Sequence, residues 1–386
     1  MLTSVIRFSL TQRLFVLIVA LFLMLAGVRS WYSIPLDAFP DISPTQVKII
    51  LKAPGMTPEE IEAQITVPIE TELLGIPNQA ILRSTTKYAI SDITLDFVEG
   101  TDIYWARQQV SERISAVWGS FPEGVTGGVA PMSTPLSEIF MFTLENPNLS
   151  LMERRQLLEW EIRPLLRTVV GVADVNILGG YAKSFSINPN PAAMSAAGIS
   201  FAALQQAIVE NNHNEGAGKL TIGTDTIIVR AEGRIDDIDE LRQLVIKADD
   251  AKVYRLNDLA DIQIGHLARY GAVTKDGHET AEGLIIALKD ANTDQVVKNI
   301  KQKIEQISLT LPKGSQINTF YDRANLINTA IGTISNALFE AVVLVIVLLA
   351  LFLGNVRAAL VVSLSLPLAA LMTFLMMDFF NLSANL

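Results

Sequence analysis

The sequence predicts a membrane protein of mixed architecture, in which three transmembrane helices accompany a large α+β region. Three observations lead to this prediction. Hydrophobic residues make up 50% of the 386 residues, and the mean hydropathy of +0.35 is high for a water-soluble chain. The apolar residues are concentrated near the two ends of the chain. The middle of the chain shows strand and amphipathic-helix patterns in an order that occurs twice.

Three apolar segments are candidates for transmembrane helices. They comprise residues 14–34, 331–354 and 358–378. The first follows Arg13. Its last residues include Trp31 and Tyr32, two aromatic residues typical of a membrane interface. A cleaved signal peptide is the alternative interpretation, but no small-x-small cleavage motif follows the apolar run.

Basic residues determine the predicted orientation. Arg7, Arg13 and Arg357 lie beside ends of the apolar segments that the positive-inside rule places in the cytoplasm. The other ends carry the acidic residues Asp37, Asp41, Glu340 and Asp378. We therefore expect residues 1–13 to lie inside, as an amphipathic segment on the inner membrane surface, and residues 35–330 to lie outside.

The region between the first and second apolar segments contains an internal repeat. Each copy has the order β-α-β-β-α-β, which is that of a ferredoxin-like subdomain. In the first copy, residues 35–135, Thr57 is the predicted N-cap of one helix and Thr101 or Asp102 that of the other. The second copy comprises residues 136–190 and 270–330, includes the strand "KSFSINP", and is interrupted by a glycine-rich insertion at 191–269.

Several separated motifs resemble the N-terminal part of resistance–nodulation–division (RND) efflux permeases of the heavy-metal branch. They are "IPLDAFPDIS", "APGMTPEEIEAQITVPIE", "FVEGTDIYWARQQVSERI", "LPKG" with "FYDRANLI", and "LFLGNVRAALVVSLSLPLA" with "SANL". The resemblance implies a multi-pass protein of the bacterial inner membrane with a periplasmic porter of two ferredoxin-like subdomains and a docking insertion. It also implies proton-driven export of metal cations from the periplasm or membrane toward an outer-membrane channel. The pump would be a homotrimer that contacts a periplasmic membrane-fusion adaptor.

The last residues, 379–386, are expected to connect to a further helix. In the family that the sequence resembles, "SANL" leads into a fourth transmembrane helix with the carboxylates that relay protons. The resemblance therefore implies that this chain is the first part of a permease and is inactive alone. The residues agree with this expectation, because Glu340 and Asp378 lie toward the ends of their predicted spans. A proton-coupled transporter needs a titrating group deep in the membrane.

Composition and motifs argue against other classes of function. The net charge of −10 disfavours a nucleic-acid partner, and the absence of cysteine excludes disulfides and thiolate chemistry. The segment "EGAGKLTIG" lacks the glycine spacing and the Ser or Thr of a phosphate loop. The three histidines, His213, His266 and His278, are scattered over polar, turn-like segments. We therefore expect neither enzymatic activity nor a bound cofactor.

Glu138 is the candidate metal ligand. It begins the predicted strand "EIFMFTLE", where the chain passes from the first copy of the repeat to the second. The resemblance implies that the acidic residue of this motif faces the substrate cleft, although Ser137 replaces the glycine that usually precedes it. A carboxylate favours zinc, cobalt, nickel or cadmium over copper or silver. The cation would be the transported substrate.

Other candidate ligands have simpler interpretations. The acidic segment "RIDDIDEL" fits a helix N-terminus, and the histidines fit an exposed surface. The methionines Met24, Met132, Met141, Met372, Met376 and Met377 fit packing positions. Two alternative functions remain open. The first is an RND exporter of drugs or lipids, which the aromatic content of 7% disfavours. The second is a membrane-anchored sensor or scaffold, which the short predicted cytoplasmic segments disfavour.

Overall fold

A computed structural model describes residues 8, 11–34, 36–37, 43–134, 136–222, 225–248, 252–289, 291–353, 356–380 and 384–385. The chain divides into two compact units. One unit comprises Met1–Asn146, Leu158–Leu178 and Glu282–Leu386, and the other comprises Pro147–Leu157 and Gly179–Ala281. Most of the predicted amphipathic segment 1–13, the turn at 354–355 and much of 379–386 lie outside the described residues.

The first unit begins with the apolar helix α1 (Arg13–Ser33) and a four-stranded antiparallel sheet. The strands are β1 (Gln46–Lys52), β2 (Gln79–Lys87), β3 (Ile90–Phe97) and β4 (Thr126–Val129), in the spatial order β2-β3-β1-β4. Helices α2 (58–73) and α3 (Ile103–Val117) share a core with this sheet. Strand β1 buries alternate residues, Val47, Ile49 and Leu51, as a strand with one core-facing side should.

The helix starts in this part of the chain follow the predicted capping signals. Thr57 Oγ1 accepts the N–H of Glu60 at 3.3 Å, and the Glu60 carboxylate accepts the N–H of Thr57 at 2.8 Å, which completes a capping box. Asp102, rather than Thr101, caps α3 by accepting the N–H of Trp105 at 2.7 Å. The predicted cap at Thr57 is therefore confirmed, and the choice between the other two is settled.

The next elements are β5 (Glu138–Glu145), α4 (151–166) and β6 (Val172–Gly179). Helices α2 and α4 share an irregularity that the sequence prediction did not include. A π-helical turn occupies Glu62–Thr66 in α2 and Leu158–Ile162 in α4, and each ends two residues before a proline, Pro68 or Pro164. Proline has no N–H to donate and its ring clashes with the carbonyl four residues earlier, so a wider turn relieves both problems.

The second unit contains short strands and helices. They are β7 (Lys183–Pro189), α5 (Pro191–Ala196), α6 (Phe201–Glu210), β8 (Glu215–Ile222), β9 (Asp225–Ala231), α7 (Ile238–Gln243), β10 (Val245–Ala248), β11 (Val253–Arg255), α8 (Leu256–Leu259), β12 (Ala260–His266) and β13 (Val273–Lys275). Strands β8 and β9 form an antiparallel hairpin, as do β10 and β11. Leu204, Leu241, Leu256 and Leu259 lie in the core of this unit.

Strand β7 differs from its sequence assignment. The segment "KSFSINP" was assigned to the second copy of the repeat, but β7 pairs antiparallel with β12, with Ile187 opposite Ile262. It lies in the second compact unit with the elements of the insertion. The cause of the difference is physical, because residue alternation identifies a strand but not the distant strand that becomes its neighbour.

The second sheet is completed by β14 (His278–Ala287), α9 (Thr293–Ser308) and β15 (Gln316–Asp322). The strand order is β13-β14-β5-β15, and β6 also pairs with β14. Strand β15 is antiparallel to β5, with Ile317 opposite Leu144. The boundary between the two units passes through β14, after Ala281. The buried residues around this sheet include Phe140, Phe142, Leu144, Ile285, Val297 and Ile300.

The chain continues into two long apolar helices, α10 (Arg323–Leu353) and α11 (Val356–Phe379), the latter with Pro367 inside it. Among the described residues, three helical stretches are long and apolar enough to cross a membrane: Arg13–Trp31, Arg323–Phe352 and Val362–Phe379. Helix α10 begins earlier than the predicted span 331–354, because its first turns belong to the α+β region, where Ala324 and Ile327 are buried.

Helices α1 and α11 are joined by polar contacts. The Asp378 carboxylate accepts hydrogen bonds from the hydroxyls of Ser30 at 2.8 Å and Ser33 at 3.3 Å. One turn away, Gly27 lies so close to α11 that a Cβ there would be 2.6 Å from the backbone oxygen of Leu371. Small residues therefore allow the two backbones to approach, and the hydroxyls satisfy the carboxylate.

Candidate functional site

Glu138 lies at the first position of β5, where its side chain is exposed. The linker before it, residues 130–137, is held at both ends by arginine side chains. Arg107 of α3 donates to the carbonyl of Ala130 at 2.6 Å, and Arg323 at the start of α10 donates to the carbonyl of Leu136. Arg323 is itself buried, so the backbone leading into Glu138 is fixed from the interior of the protein.

The other side of this strand start is fixed by β14. The N–H of Ala287 donates to the carbonyl of Ser137 at 2.8 Å, and the Ser137 hydroxyl accepts the N–H of Thr134 at 2.9 Å. Ser137, which takes the place of an expected glycine, therefore closes the turn before the strand. The position of Glu138 follows from backbone contacts that the sequence pattern alone did not indicate.

Glu282 lies on β14, the strand next to that of Glu138, and the sequence analysis did not select it. It is only 8% exposed. Among the residues that the structure describes, no hydrogen bond or ion pair reaches its carboxylate. Burial raises the pKa of Glu282, and the nearby charge of Glu138 raises it further. The signal that could have found it is a charged residue inside the otherwise apolar strand "AEGLIIALK".

Other shielded carboxylates of this unit have cationic neighbours. Asp96 forms an ion pair with Arg83 at 2.8 Å, and Asp322 forms one with Lys301 at 2.5 Å. Asp174, on β6, lies 3.4 Å from Arg163 and 3.3 Å from a second guanidinium, that of Arg167. These charges are compensated by the protein itself, whereas Glu282 and Glu138 face each other's charge.

The histidines do not form a metal site with other residues. His213 Nε2 lies 3.1 Å from Glu215 Oε1, His266 Nδ1 lies 2.9 Å from the carbonyl of Leu267, and His278 Nδ1 lies 3.0 Å from that of Asp276. All three are exposed. Within the described part of the chain, no group of three or more His, Cys, Asp and Glu side chains is close enough to hold a metal ion. Glu138 and Glu282 are therefore a pair rather than a complete ligand set.

The acidic segment and the glycine-rich segment have structural roles. Asp237 caps α7 by accepting the N–H groups of Asp239 and Glu240, each at 2.8 Å, which confirms the predicted helix N-terminus. The segment "EGAGKLTIG" overlaps β8 of the β8–β9 hairpin. Met132 and Met141 lie on either side of Glu138 in sequence, in the linker and in β5. The other candidate methionines, Met24, Met372, Met376 and Met377, lie on the apolar helices α1 and α11.

Three apolar helices accompany the α+β region in the described part of the chain, a combination typical of a membrane protein with a large domain outside the membrane. The chain belongs to the AcrB/AcrD/AcrF family, whose model matches residues 5–386. The predicted relationship to RND permeases of the heavy-metal branch is confirmed by the relatives described next.

Three curated relatives match the whole chain. Protein HelA of Legionella pneumophila is 38% identical, the cobalt-zinc-cadmium resistance protein CzcA of Cupriavidus metallidurans is 36% identical, and the cation efflux system protein CusA of Escherichia coli K12 is 35% identical. Each match covers 100% of this chain and 37% of the relative, so the chain spans little more than a third of their length. The names of two of them describe metal resistance, for CzcA, and cation efflux, for CusA.

A solved structure supports the same relationship. The crystal structure of a heavy metal efflux pump matches 97% of this chain and 38% of its own chain, with a TM-score of 0.89 and 33% sequence identity. A second crystal form of a heavy metal efflux pump matches with a TM-score of 0.88. The fold described above is therefore that of the corresponding part of a heavy-metal efflux pump.

Proposed function

We propose that this chain forms the porter and first membrane helices of a proton-driven permease that exports heavy-metal cations. The cations would move from the periplasm or inner membrane toward an outer-membrane channel. The observation that carries this proposal is the match of 97% of the chain to the structure of a heavy-metal efflux pump, combined with two acidic residues, Glu138 and Glu282, on neighbouring strands of the second sheet. The alternatives of a drug or lipid exporter and of a sensor have no comparable support.

The preferred substrates are zinc, cobalt, cadmium and nickel rather than copper or silver. Relatives of similar identity carry different metals in their names, cobalt, zinc and cadmium for CzcA and nickel and cobalt for CnrA. The choice for this chain therefore depends on its own ligands. Glu138 and Glu282 offer carboxylate oxygens, which suit these dications better than the soft monovalent ions that prefer sulfur.

The proposed arrangement places residues 35–330 in the periplasm of a bacterial inner-membrane protein. The two sheets, each with a β-α-β-β-α-β element order, would be two ferredoxin-like porter subdomains, and residues 191–269 would form most of a docking insertion. The three candidate spans and the arginines at 7, 13 and 357 support an N-terminus inside. As in an RND pump, we expect a homotrimer that works with an adaptor and an outer channel.

Proton coupling is proposed to reside in a part of the permease that this chain does not contain. Asp378 lies near the end of α11 and is satisfied by two serine hydroxyls. A coupling group must titrate while buried in the membrane. Expressed alone in a host without related pumps, the chain should therefore give no metal resistance, and resistance from it would contradict this proposal.

The test of substrate binding uses Glu138→Gln in the complete permease. The substitution keeps the size of the side chain and removes its charge. We expect lower resistance to zinc or cobalt at a normal protein level, because an exposed residue at a strand start changes stability by no more than about 0.5 kcal/mol. Asp92→Asn, at an ion-paired carboxylate of the first sheet, is the matched control. Unchanged resistance to every divalent cation would remove Glu138 from the transport path.

A further inference from the structure

Two short segments of the second unit lead into and out of the antiparallel pair β7–β12. Residues 180–182 lead into β7, and residues 267–272 lead from β12 to β13. The first segment is tightly packed, because Gly180 has a left-handed φ of 66° and a Cβ added there would lie 2.9 Å from the Cβ of Arg155. The second segment has no regular secondary structure, and Arg269 is its only residue that is not exposed.

Arg269 connects this second segment to two other parts of the unit. Its guanidinium donates two hydrogen bonds to the carboxylate of Glu279, at the start of β14, each at 3.0 Å. The same guanidinium lies 4.2 Å from the ring centre of Tyr181, in the first segment. A bidentate pair fixes the orientation of the guanidinium as well as its distance, and the flat group also stacks on an aromatic ring. The Arg269 side chain is 24% exposed, so these contacts shield it from most of the solvent.

Tyr181 completes the connection from the other side. Its hydroxyl hydrogen-bonds to the Glu279 carboxylate, and its ring centre lies 4.6 Å from that of His266, the last residue of β12. Beside it, the N–H of Leu267 donates to the carbonyl of Ala182 at 2.9 Å. The hydrogen bonds from Arg269 and then from Tyr181 lower the pKa of Glu279, which keeps the carboxylate charged near neutral pH.

We propose that Tyr181, Arg269 and Glu279 form a latch that makes the β7–β12 pair and the β13–β14 hairpin one rigid body. With the latch closed, a displacement of β14 carries the β7–β12 pair with it. With the latch open, the exposed segment 267–272 would absorb that displacement. Because the β7–β12 pair contributes to the core of the second unit, the latch decides whether that core follows β14. The inference goes beyond the proposed function and needs no bound metal.

The first experiment measures chymotrypsin cleavage after Tyr270 in the full chain purified in detergent. Tyr270 is 79% exposed, but a protease cuts only a segment that can open locally. Glu279→Gln and Arg269→Gln should each accelerate this cleavage at least about tenfold, the order of effect expected when a charged hydrogen-bonded pair is lost. The double variant should be no faster than the faster single variant, because both substitutions open the same latch. Asp239→Asn, which removes an exposed ion pair within α7, is the control and should leave the rate unchanged.

The second experiment measures whether the two strand pairs move as one body. The chain contains no cysteine, so nitroxide labels can be attached specifically to Asn188→Cys on β7 and Thr274→Cys on β13, both at exposed positions. Pulsed electron paramagnetic resonance then gives the distribution of distances between the labels. We expect a narrow distribution with the latch intact and a broader one after Glu279→Gln or Arg269→Gln.

Three results would overturn the inference. The first is an unchanged cleavage rate in both latch variants. The second is faster cleavage after Tyr270 with an unchanged distance distribution, because other contacts would then hold the two strand pairs together. The third is a similar acceleration at cleavage sites throughout the chain with a lower unfolding temperature, because the substitutions would then weaken the whole fold instead of opening one segment.

Discussion

The two sheets of the first unit have corresponding strands but differ in the pairing of their carboxylates and in the size of their core side chains. In the first sheet, Asp92 and Asp96 are paired with Lys48 and Arg83. In the second, no cation of the described residues forms an ion pair with Glu282. A protein fold usually satisfies its buried polar groups, and departures from that rule are concentrated at functional sites. The comparison teaches that the same strand arrangement can carry a compensated carboxylate in one sheet and, among the described residues, an uncompensated one in the other.

The same comparison applies to core volume. In the first sheet Ile93 lies opposite Ile49, and in the second sheet Gly283 lies under the ring of Phe142. A Cβ added at Gly283 would lie 2.4 Å from the ring of Phe142, so the phenylalanine covers the glycine. The second sheet thus has a phenylalanine ring and a glycine where the first has two isoleucines. The glycine, Gly283, directly follows Glu282.

The largest predicted effect is that of Phe142→Ala. Phe142 is fully buried, and removing its ring above a glycine leaves a cavity that no neighbouring side chain fills. We expect a loss of about 3–5 kcal/mol in the free energy of unfolding. Ile49→Ala, at the buried residue opposite Ile93 in the first sheet, removes a smaller side chain and should cost less. Urea unfolding of the full chain in detergent measures both, and equal losses would show that the two cores are not packed differently.

The second prediction concerns Gly283→Ala. The added methyl group meets the Phe142 ring, so we expect a loss of roughly 1–3 kcal/mol from overpacking. In a Phe142→Ala background the same change should cost little, because the obstructing ring is gone. The double-mutant cycle measures this coupling. If the losses of Gly283→Ala and Phe142→Ala were additive, the Phe142 ring would not lie over Gly283 in the folded chain.

How far the sequence predicted these features depends on the range of the interactions. The caps at Thr57 and Asp102 were predictable, because a cap involves residues only three positions apart. The apolar helices were predictable from composition over about 20 residues. Glu138 could be selected only through its resemblance to a family motif. Local patterns therefore sufficed to predict the helix caps and the apolar helices.

Features that depend on distant neighbours were missed. The pairing of β7 with β12 joins residues far apart in sequence, and alternation in "KSFSINP" does not identify that neighbour. Glu282 was overlooked because its importance comes from its burial and from Glu138 on another strand. The contact between Arg323 and the carbonyl of Leu136 likewise connects segments nearly 200 residues apart. Such contacts exist only once the sheet has formed.

The third prediction uses the pH dependence of stability. The folded-state pKa of Glu282 is raised by burial and by the charge of Glu138. The folded chain therefore binds this proton more tightly than the unfolded chain, and stability falls as pH rises from the unfolded glutamate value, about 4.3, through the raised value. Glu282→Gln should increase the unfolding temperature at about pH 8 and leave it unchanged at about pH 4. The metal-free full chain is required, because a bound cation would oppose this effect.

A matched control distinguishes this effect from a general change in charge. Asp92→Asn removes an acid of the first sheet, on β3, where Lys48 compensates it. It should not stabilise the chain at high pH. If Glu282→Gln instead lowered the unfolding temperature at about pH 8, Glu282 would have a favourable partner when ionised, and the contrast between the sheets would disappear.

The smallest predicted effect is that of Lys48→Met in the first sheet. The side chains of Lys48 and Asp92 are 44% and 34% exposed, so water and salt screen their attraction, and the loss should be about 0.2–1 kcal/mol. This loss of stability should become smaller still at high salt. The substitution leaves Asp92 without its lysine, yet it should not create a Co²⁺ site, because neither Thr45 nor Gln46, at the start of β1, carries a carboxylate. Calorimetry with Co²⁺ checks this expectation against the unmodified chain. Tighter Co²⁺ binding by Lys48→Met would mean that one uncompensated carboxylate on such a strand is sufficient, and the contrast between the two sheets would then carry no information about cation binding.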